Sequence, residues 1–121
     1  MVSGLFDTNI LIDYLNAVGE ARDELARYEG KAISIISWME VLVGADPAVS
    51  DATRAFLGGF ELVAVNGDIA EQAVILRRAH RIKLPDAIIW ASAQSEGMLL
   101  VTRNTRDFPT GDPGVRVPYT L

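Results

Sequence analysis

The sequence predicts an α/β domain with a central, mostly parallel sheet of four or five strands flanked by helices. Strand-like apolar runs alternate with helical patterns along the 121 residues, which is typical of parallel sheets connected by helices. Half of the residues are apolar, which suffices for one hydrophobic core in a chain of this length. No linker, internal repeat or low-complexity tract divides the sequence, so residues 1–121 are expected to form a single domain.

The first half of the chain is predicted to contain three strands with helices between them. The run at 32–36 is rich in β-branched residues and therefore favours a buried strand. Gly30 is expected to end the helix that precedes this strand. Asp46 and Pro47 are expected to end the helix that follows the strand. The predicted strands are 4–6, 32–36 and 60–65, and the predicted helices are one that begins after residue 9, then 20–28, 37–43 and 50–57.

The second half continues the alternation with two helices and two strands. Ile69, Ala73 and Leu76 lie at helical spacing and mark the core face of a long helix. Pro85 suits the first turn of the next helix, and Gly97 suits its end. The predicted helices are 69–80 and 86–96, and the predicted strands are 98–101 and, at the edge of the sheet, 115–117.

The composition argues against several kinds of site and location. The absence of cysteine excludes disulfides and thiolate metal ligands. No apolar run is long enough to span a bilayer and no basic leader precedes the first strand, so a cytoplasmic protein without membrane attachment is expected. The net charge of −5 disfavours binding of nucleic acid by the whole surface. The high apolar fraction indicates that a partner or a second copy covers part of the surface.

Basic residues are concentrated in the last third of the chain. Residues 77–121 contain seven basic residues (Lys and Arg) and four acidic residues (Asp and Glu). Residues 1–76 contain four basic and twelve acidic residues. Such residues are expected either at a solvated helix end, where the helix dipole favours them, or in contact with phosphate groups. The candidates for phosphate contact are Arg77, Arg78, Arg81, Lys83, Arg103 and Arg106.

Four acidic residues are spaced so that they can meet at one edge of the sheet. Asp7, Glu40 and Asp107 each follow a predicted strand, and Asp86 begins an apolar helix. Open α/β sheets bind ligands at the carboxyl ends of their strands. Clustered carboxylates raise one another's pKa unless a cation neutralises them, and a hard divalent ion such as Mg²⁺ or Mn²⁺ prefers oxygen ligands. The four acids are therefore candidate metal ligands.

Each acid also has a purely structural explanation when it is taken alone. Asp7 can cap the helix that follows it, and Ser37 with Glu40 matches the capping-box pattern. Asp86 stands in a first helical turn, where the helix dipole favours any acid, and Asp107 lies in a polar turn. The metal site is favoured by the common placement of the four acids and not by any one of them.

Four segments of the chain resemble the signature blocks of the PIN-domain ribonucleases, and most of all those of the VapC-type toxins of bacterial toxin–antitoxin pairs. The blocks occur in the expected order between residue 3 and about residue 108, so the resemblance covers nearly the whole chain. It implies a three-layer, PIN-like fold. The matching segments are LFDTNILID at 5–13, ISWMEV at 36–41, LPDAIIWA at 84–91 and LVTRNTRDF at 100–108.

The resemblance implies a Mg²⁺-dependent endoribonuclease, with Mn²⁺ as an alternative ion, in which Asp7, Glu40 and Asp86 bind the metal. Hydrolysis by metal-activated water would leave a 5′-phosphate and a 3′-hydroxyl. Family members carry a fourth acid at the position of either Asn104 or Asp107, and we favour Asp107 as a contributor to catalysis, with Asn104 as a hydrogen-bonding or water-mediated partner. The polar residues expected to support the site are Thr8, Asn9, Ser37 and Thr102.

The resemblance also implies three kinds of partner. The basic residues would position an RNA substrate, and the chain would form a homodimer that can grow into a larger toxin–antitoxin complex. A cognate antitoxin protein would bind near the active edge of the sheet. The apolar side chains that can receive an antitoxin segment, or else pack in the domain's own core, are Leu11, Tyr14, Leu15, Trp38 and Val41.

Other functions are compatible with parts of the pattern. A receiver-type signalling domain also gathers aspartates and Mg²⁺ at strand ends, but it needs paired acids after the first strand, which are not evident here. A catalytically idle PIN-like module would keep the fold and bind only a protein. A metal-free ribonuclease would need general acid and base groups with pKa values near neutral pH, and His80 is the only histidine.

Overall fold

The computed structural model describes residues 2–121, and in that range it contains five β-strands and six α-helices. The elements are β1 (Ser3–Phe6), α1 (Thr8–Leu15), α2 (Gly19–Leu25), β2 (Gly30–Ser34), α3 (Ile35–Gly44), a 3₁₀ turn (Pro47–Val49), α4 (Ser50–Leu57), β3 (Glu61–Val63), α5 (Gly67–His80), α6 (Leu84–Ser95), β4 (Leu99–Val101) and β5 (Val115–Arg116). The strands form one sheet in the order β3-β2-β1-β4-β5, and each neighbouring pair is parallel. The predicted α/β class is confirmed.

Helices cover both faces of the sheet, which gives three layers. Because side chains alternate along a strand, Leu5 faces one side of the sheet and Phe6 the other. Leu5 packs with apolar residues of α5 and α6, among them Trp90. Phe6 packs with apolar residues of α1 to α4, among them Leu11 and Val41. The central strand therefore contributes to both cores.

Strand β1 packs closely against its neighbours on one face. Its last three residues are buried. A Cβ on Gly4 would lie 3.0 Å from the Tyr28 ring and 3.1 Å from the side chain of Val101. Any larger residue would force one of these neighbours to move, so glycine permits the close approach. This packing leaves little room for a side chain at residue 4.

The order of the strands excludes the receiver-type alternative. Receiver domains have the flavodoxin-like strand order 2-1-3-4-5, whereas the order here is 3-2-1-4-5. In the observed order β1 lies between β2 and β4. The carboxyl ends of these three parallel strands are therefore adjacent, and the Asp7 amide donates a hydrogen bond of 2.9 Å to the Val101 carbonyl at the end of β4.

The predicted boundary between β2 and α3 is wrong for a clear physical reason. Strand β2 ends at Ser34, and Ile35 and Ile36 begin α3 although β-branched residues favour strands. The Ser34 hydroxyl accepts a hydrogen bond of 3.1 Å from the Ile36 amide and so caps the helix. Ser37 therefore lies inside α3, and the capping-box explanation of Ser37 and Glu40 is wrong.

The other helices end close to their predicted positions. Helix α4 has the predicted bounds, and Gly97 follows α6 with a φ of 65°, the left-handed conformation that commonly ends a helix. Helix α2 is shorter than predicted, because it ends at Leu25 and Gly30 already begins β2. Within residues 2–121, no helix combines the length and the apolar character needed to cross a membrane.

A buried ion pair that the sequence did not predict ties the edge strand β5 to α2. Arg116 donates hydrogen bonds of 2.7 and 3.0 Å to the Glu24 carboxylate, and the Tyr28 hydroxyl donates to the same group. Glu24 is only 4% exposed. Burial raises the pKa of Glu24, but the hydrogen bonds of Arg116 and Tyr28 outweigh burial and leave it below the ordinary value of 4.5.

Replacing Arg116 by Met is expected to lower the free energy of unfolding by about 2–4 kcal/mol near neutral pH, because Glu24 would stay buried without its cation. Folding lowers the pKa of Glu24, so this stabilisation is present above a pH of 4.5 and is lost as the pH falls through the folded-state pKa. Urea unfolding from about pH 3 to about pH 7 measures both effects.

The matched control is Arg22→Met, because the side chains of Arg22 and its partner Asp23 are 72% and 75% exposed. Exposed pairs contribute less than about 1 kcal/mol. A similar loss of stability in Arg22→Met and Arg116→Met would contradict the assignment of the effect to the buried pair.

Candidate active site

Asp7 stands directly after β1 and is buried, with 4% of its surface exposed. Its Oδ1 accepts a hydrogen bond of 2.7 Å from the Thr8 amide, so Asp7 is the N-cap of α1. Its Oδ2 accepts hydrogen bonds of 2.7 Å from the Thr102 hydroxyl and 3.1 Å from the side-chain amide of Asn9. Thr8, Asn9 and Thr102, three of the predicted supporting residues, thus each donate to this carboxylate.

Burial dominates the ionisation of Asp7. It raises the pKa of this carboxyl from 3.8 to about 6, against the hydrogen bonds of Thr102 and Thr8, which lower it. The negative charges of Asp86 and Glu40 raise the pKa of Asp7 further. These two acids are far from Asp7 along the chain, and their electrostatic effect shows that the fold brings them near it.

Asp86 lies in the first turn of α6 and is half-buried. Its pKa is also raised, first by burial and then by the charges of Asp107 and Glu40, while Lys83 opposes the rise. Glu40 and Asp86 thus act on Asp7, and Glu40 and Asp107 act on Asp86, so the four acids lie in one region of the molecule. Asp7, Glu40, Asp86 and Asp107 are termed the acidic cluster below.

Glu40 is exposed on α3 and is tied to the end of β1 by Thr8. The Thr8 hydroxyl lies 2.7 Å from Glu40 Oε1 and 3.0 Å from the hydroxyl of Ser37. Ser37 is fully buried on the same helix. Thr8 and Ser37 thus form a polar bridge from α1 to α3 that holds Glu40 on the side of Asp7.

Asp107 is held by Asn104 in the turn that follows β4. Asn104 Nδ2 donates a hydrogen bond of 2.9 Å to Asp107 Oδ2, and Asn104 Oδ1 accepts from the amides of Arg106 and Asp107 at 3.1 and 3.2 Å. The Asn104 amide donates to the Thr102 hydroxyl at 3.0 Å. In this arrangement the amide side chain organises the turn, and the carboxylate is the group that acts on Asp86.

The acidic cluster fits a hard divalent cation in donor chemistry and in charge. Its side chains offer carboxylate oxygens, which Mg²⁺ and Mn²⁺ prefer. Burial and, after it, the charges of neighbouring acids raise the pKa values of Asp7 and Asp86, and a cation would offset both effects. Within the described residues 2–121, however, no three acidic side chains are positioned to hold one ion jointly. Joint ligation would need side-chain rotation, which the exposed Glu40 can undergo. The predicted metal ligands stay a prediction.

Three of the predicted RNA-binding residues line a groove where α5 meets α6. This basic groove is formed by Arg77, Arg78 and Arg81 together with Val74 and Leu84. Leu84 begins α6, whose first turn carries an acid of the cluster. Arg81 caps α5 with a φ of 56°, a left-handed conformation that favours glycine. The chain therefore keeps an arginine in the groove at a conformational cost.

The other predicted RNA-binding residues differ in their surroundings. Lys83 and Arg106 are exposed. The guanidinium of Arg103 does not stand free, because its Nε and Nη2 donate hydrogen bonds of 2.7 and 2.9 Å to the Asp13 carboxylate. Within the basic groove, Arg77 donates a hydrogen bond of 2.8 Å to a backbone carbonyl of the α5–α6 connection. Contact of these residues with RNA stays a prediction.

Known proteins resemble this chain along almost its whole length. The family model of the PIN domain matches residues 5–110. The chain belongs to the PIN-domain family. It is 35% identical over 113 residues to Ribonuclease VapC10 from Mycobacterium tuberculosis, with 87% of this chain and 85% of that protein covered. It is 28% identical over 120 residues to the tRNA(fMet)-specific endonuclease VapC of Shigella flexneri, with 89% and 91% covered. This PIN domain is thus of the VapC type.

Solved structures agree with this assignment. A chain in a toxin–antitoxin complex from Klebsiella pneumoniae superposes with a TM-score of 0.93 at 48% identity, covering 98% of this chain and 100% of that chain. A chain of DNA-bound VapBC from Salmonella typhimurium superposes with a TM-score of 0.71 at 24% identity, covering 96% of each chain, and supports the fold alone. The three-layer, PIN-like fold predicted from the sequence is confirmed.

The apolar residues predicted to receive an antitoxin segment in this PIN domain divide between core and surface. Leu11 and Val41 are buried in the core. Tyr14 and Leu15 are 37% and 40% exposed, and Trp38 is half-buried. An apolar groove runs between α1, α3 and the 3₁₀ turn. Its lining includes Ile12, Leu15, Val41, Ala45 and Val49.

Two residues near the site were not predicted to have a role. Asp13 is 5% exposed and binds Arg103, and the Tyr119 hydroxyl donates a hydrogen bond of 2.8 Å to the same carboxylate. Asp13 follows Asn9 by one helical turn, and this spacing on α1 is a signal that the sequence did contain. Tyr119 follows a stretch rich in Pro and Gly, and no local pattern marks it.

The raised pKa of Asp7 predicts a pH-dependent stability in metal-free buffer. The folded chain binds this proton more tightly than the unfolded chain, so stability falls as the pH rises from 3.8 to about 6. Above that range ionised Asp7 costs about 3 kcal/mol, since each pKa unit corresponds to about 1.4 kcal/mol. Asp7→Asn cannot ionise at this position and is therefore expected to remove this fall. Urea unfolding in chelator tests this, and an unchanged pH slope in Asp7→Asn would contradict it.

Proposed function

We propose that this PIN domain is a Mg²⁺-dependent endoribonuclease that acts as the toxin of a toxin–antitoxin pair. The supporting observation is that acids from four separate segments lie in one region of the molecule, where Glu40 and Asp86 act on the buried Asp7 and Asp107 acts on Asp86. The relatives support the same activity, because they are named as a ribonuclease and as a tRNA(fMet)-specific endonuclease. Mn²⁺ would serve as an alternative ion.

The residues of the site have distinct parts in the proposed reaction. Asp7, Glu40 and Asp86 would hold the cation, which supplies stabilisation of charge on the phosphate and activation of water. Asp7 is oriented by donors on both of its oxygens, so it can offer its charge at a fixed place. Asp107 would add a further negative charge to the site. The hydrogen bond from Asn104 would hold the Asp107 carboxylate in position. Hydrolysis would leave a 5′-phosphate and a 3′-hydroxyl.

The only histidine of the chain is exposed and packs against α6. His80 ends α5, and its ring packs on Trp90 with 4.8 Å between the ring centroids. It therefore belongs to the α5–α6 contact. A metal-free ribonuclease would need a group of suitable pKa that reaches the scissile phosphate.

The basic groove would hold the RNA backbone beside the acidic cluster. The chain has a net charge of −5, so binding of a polyanion depends on a local concentration of basic residues. Arg78 and Arg81 line the groove, and Lys83 precedes the acid in the first turn of α6. Arg106 lies in the turn that carries Asp107. Contacts of this kind position phosphates and carry little sequence information.

The apolar groove is the proposed site for the antitoxin. A neighbour with a TM-score of 0.93 comes from a toxin–antitoxin complex. A segment that fills a groove lined by Leu15, Val41 and Val49 would present apolar side chains. Met39 and Val43 on α3 are 43% and 87% exposed, and a second copy of the chain would cover them in the proposed homodimer. Antitoxin bound to each copy would give a larger complex.

Removing single charges of the acidic cluster is expected to abolish metal-dependent cleavage. Asp7→Asn, Glu40→Gln and Asp86→Asn should each lower kcat for a labelled RNA by at least about a hundredfold, the usual effect of losing one fixed electrostatic group. Asp51→Asn, an exposed acid on α4, serves as the matched control. Product ends are identified by their sensitivity to phosphatase. Wild-type cleavage that persists in chelator and yields a cyclic phosphate would overturn the proposal, and so would inactivity of wild type with Mg²⁺ on a broad RNA pool.

Replacing Arg81 by Gly is expected to change stability and RNA binding in opposite directions. Gly adopts the left-handed conformation of residue 81 without strain, so the free energy of unfolding should rise by about 1 kcal/mol. Loss of one phosphate contact should raise KM and lower the slope of log KM against log salt by about one. Arg81→Lys is the control, because it keeps both the charge and the strain. If Arg81→Gly left KM unchanged but changed the sedimentation coefficient, the groove would be a contact between two copies of the chain and not an RNA-binding surface.

A further inference from the structure

Three side chains outside the acidic cluster converge on one face of α1. Asp13 accepts hydrogen bonds of 2.7 and 2.9 Å from the guanidinium of Arg103, and the Tyr119 hydroxyl donates to the same carboxylate at 2.8 Å. Asp13 is 5% exposed, so these bonds lie largely out of solvent. The group joins α1, the turn after β4 and the segment after β5. Asp13, Arg103 and Tyr119 are termed the clamp.

The clamp is connected to Asp7 through one side-chain amide. The backbone amide of Arg103 donates a hydrogen bond of 3.1 Å to Asn9 Oδ1, and Asn9 Nδ2 donates to Asp7 Oδ2 at 3.1 Å. A backbone N–H can only donate, so the oxygen of Asn9 has to face Arg103 and its NH₂ group has to face Asp7. The position of the Arg103 backbone therefore sets the orientation of the Asn9 amide.

The Arg103 backbone is fixed by contacts with the same helix at two points. Asp13 follows Asn9 by four residues, so both side chains project from one face of α1. Asn9 binds the backbone of Arg103, and Asp13 binds its guanidinium through two parallel hydrogen bonds, a geometry with little rotational freedom. Helix α1 thus contacts Arg103 both at its backbone amide and at its guanidinium. The hydrogen bond from the Tyr119 hydroxyl restrains the Asp13 carboxylate.

We propose that the clamp positions the Asp7 carboxylate for the reaction, and that Tyr119 makes the segment after β5 part of the active site. This inference rests on the proposed function, because a correctly oriented Asp7 has its effect in metal-dependent cleavage. Asp13, Arg103 and Tyr119 are positioning residues that act on Asp7 through Asn9. Partners of this kind commonly change metal affinity or activity by about 10- to 100-fold when they are removed.

A purely structural role is the competing explanation, and the chain contains a matched control for it. Tyr28, Glu24 and Arg116 form a second group of tyrosine, acid and arginine, with guanidinium hydrogen bonds of 2.7 and 3.0 Å to the carboxylate. Glu24 is 4% exposed, much as Asp13 is. The second group holds β5 to α2 instead of holding Asn9. The two groups therefore share their chemistry and differ in their connection to Asp7.

The test compares Tyr119→Phe with Tyr28→Phe, because each removes one hydroxyl from a buried carboxylate. Cleavage of a labelled RNA with Mg²⁺ gives kcat and KM, and urea unfolding gives stability. We expect similar losses of stability in both variants. Only Tyr119→Phe should lower kcat, by about tenfold, with KM unchanged within about twofold. Asp13→Asn and Glu24→Gln repeat the comparison at the carboxylates should either tyrosine variant fail to fold.

Two kinetic outcomes would overturn the inference. An equal fall of kcat in Tyr28→Phe and Tyr119→Phe would assign the effect to general stability. A raised KM at unchanged kcat in Arg103→Lys would make Arg103 a contact for RNA and not a positioning residue. A fall of kcat in Arg103→Lys at unchanged KM would support the inference, since lysine cannot reproduce the paired hydrogen bonds.

A measurement without catalysis separates this inference from the proposed function. The side-chain amide of Asn9 gives its own pair of NMR signals, which report its hydrogen bonds to Arg103 and Asp7. A shift of these signals in Tyr119→Phe but not in Tyr28→Phe supports the clamp, and unmoved signals in both variants overturn it. Absence of cleavage by wild type would defeat the proposed function and would leave this NMR result to decide the inference.

Discussion

A buried carboxylate at the end of the central strand is the constraint on which the rest of the site depends. Asp7 is 4% exposed, and its pKa of about 6 shows that burial opposes its ionised form. The Thr8 amide, the Thr102 hydroxyl and the Asn9 amide offset part of this cost. They do not restore the ordinary pKa of 3.8. A nearby cation would offset the remaining cost of ionising Asp7.

The order of the strands explains how donors from distant segments reach this carboxylate. Because β1 lies between β2 and β4, groups that follow either neighbour stand beside the end of β1. Thr102 follows β4, while Ser37 and Glu40 lie on the helix that follows β2. At the edge of the sheet, Asp7 would have only one neighbouring strand.

The sequence was sufficient where local patterns determine the structure. Acids that follow strands are visible in the chain, and parallel strands end at one edge of the sheet, so the position of Asp7 at the end of β1 was predictable. The start of α3 was not, because the Ser34 cap overrides the strand preference of the next residues. The pairs Asp13–Arg103 and Glu24–Arg116 join residues 90 and 92 positions apart. Periodicity carries no information on such pairs, which only the folded chain brings together.

Lys83 marks the boundary between two surfaces of opposite charge. It immediately precedes α6, next to the basic groove, and its charge lowers the pKa of Asp86 against burial and two neighbouring acids. A polyanion that followed the groove would thus meet a cation directly before it met carboxylates that repel it. The arginines of the basic groove stand on α5 and at its end, whereas the four acids stand on other parts of the chain. The proposed metal ion would supply positive charge on the other side of the boundary, where the phosphate has to approach Asp7 and Glu40.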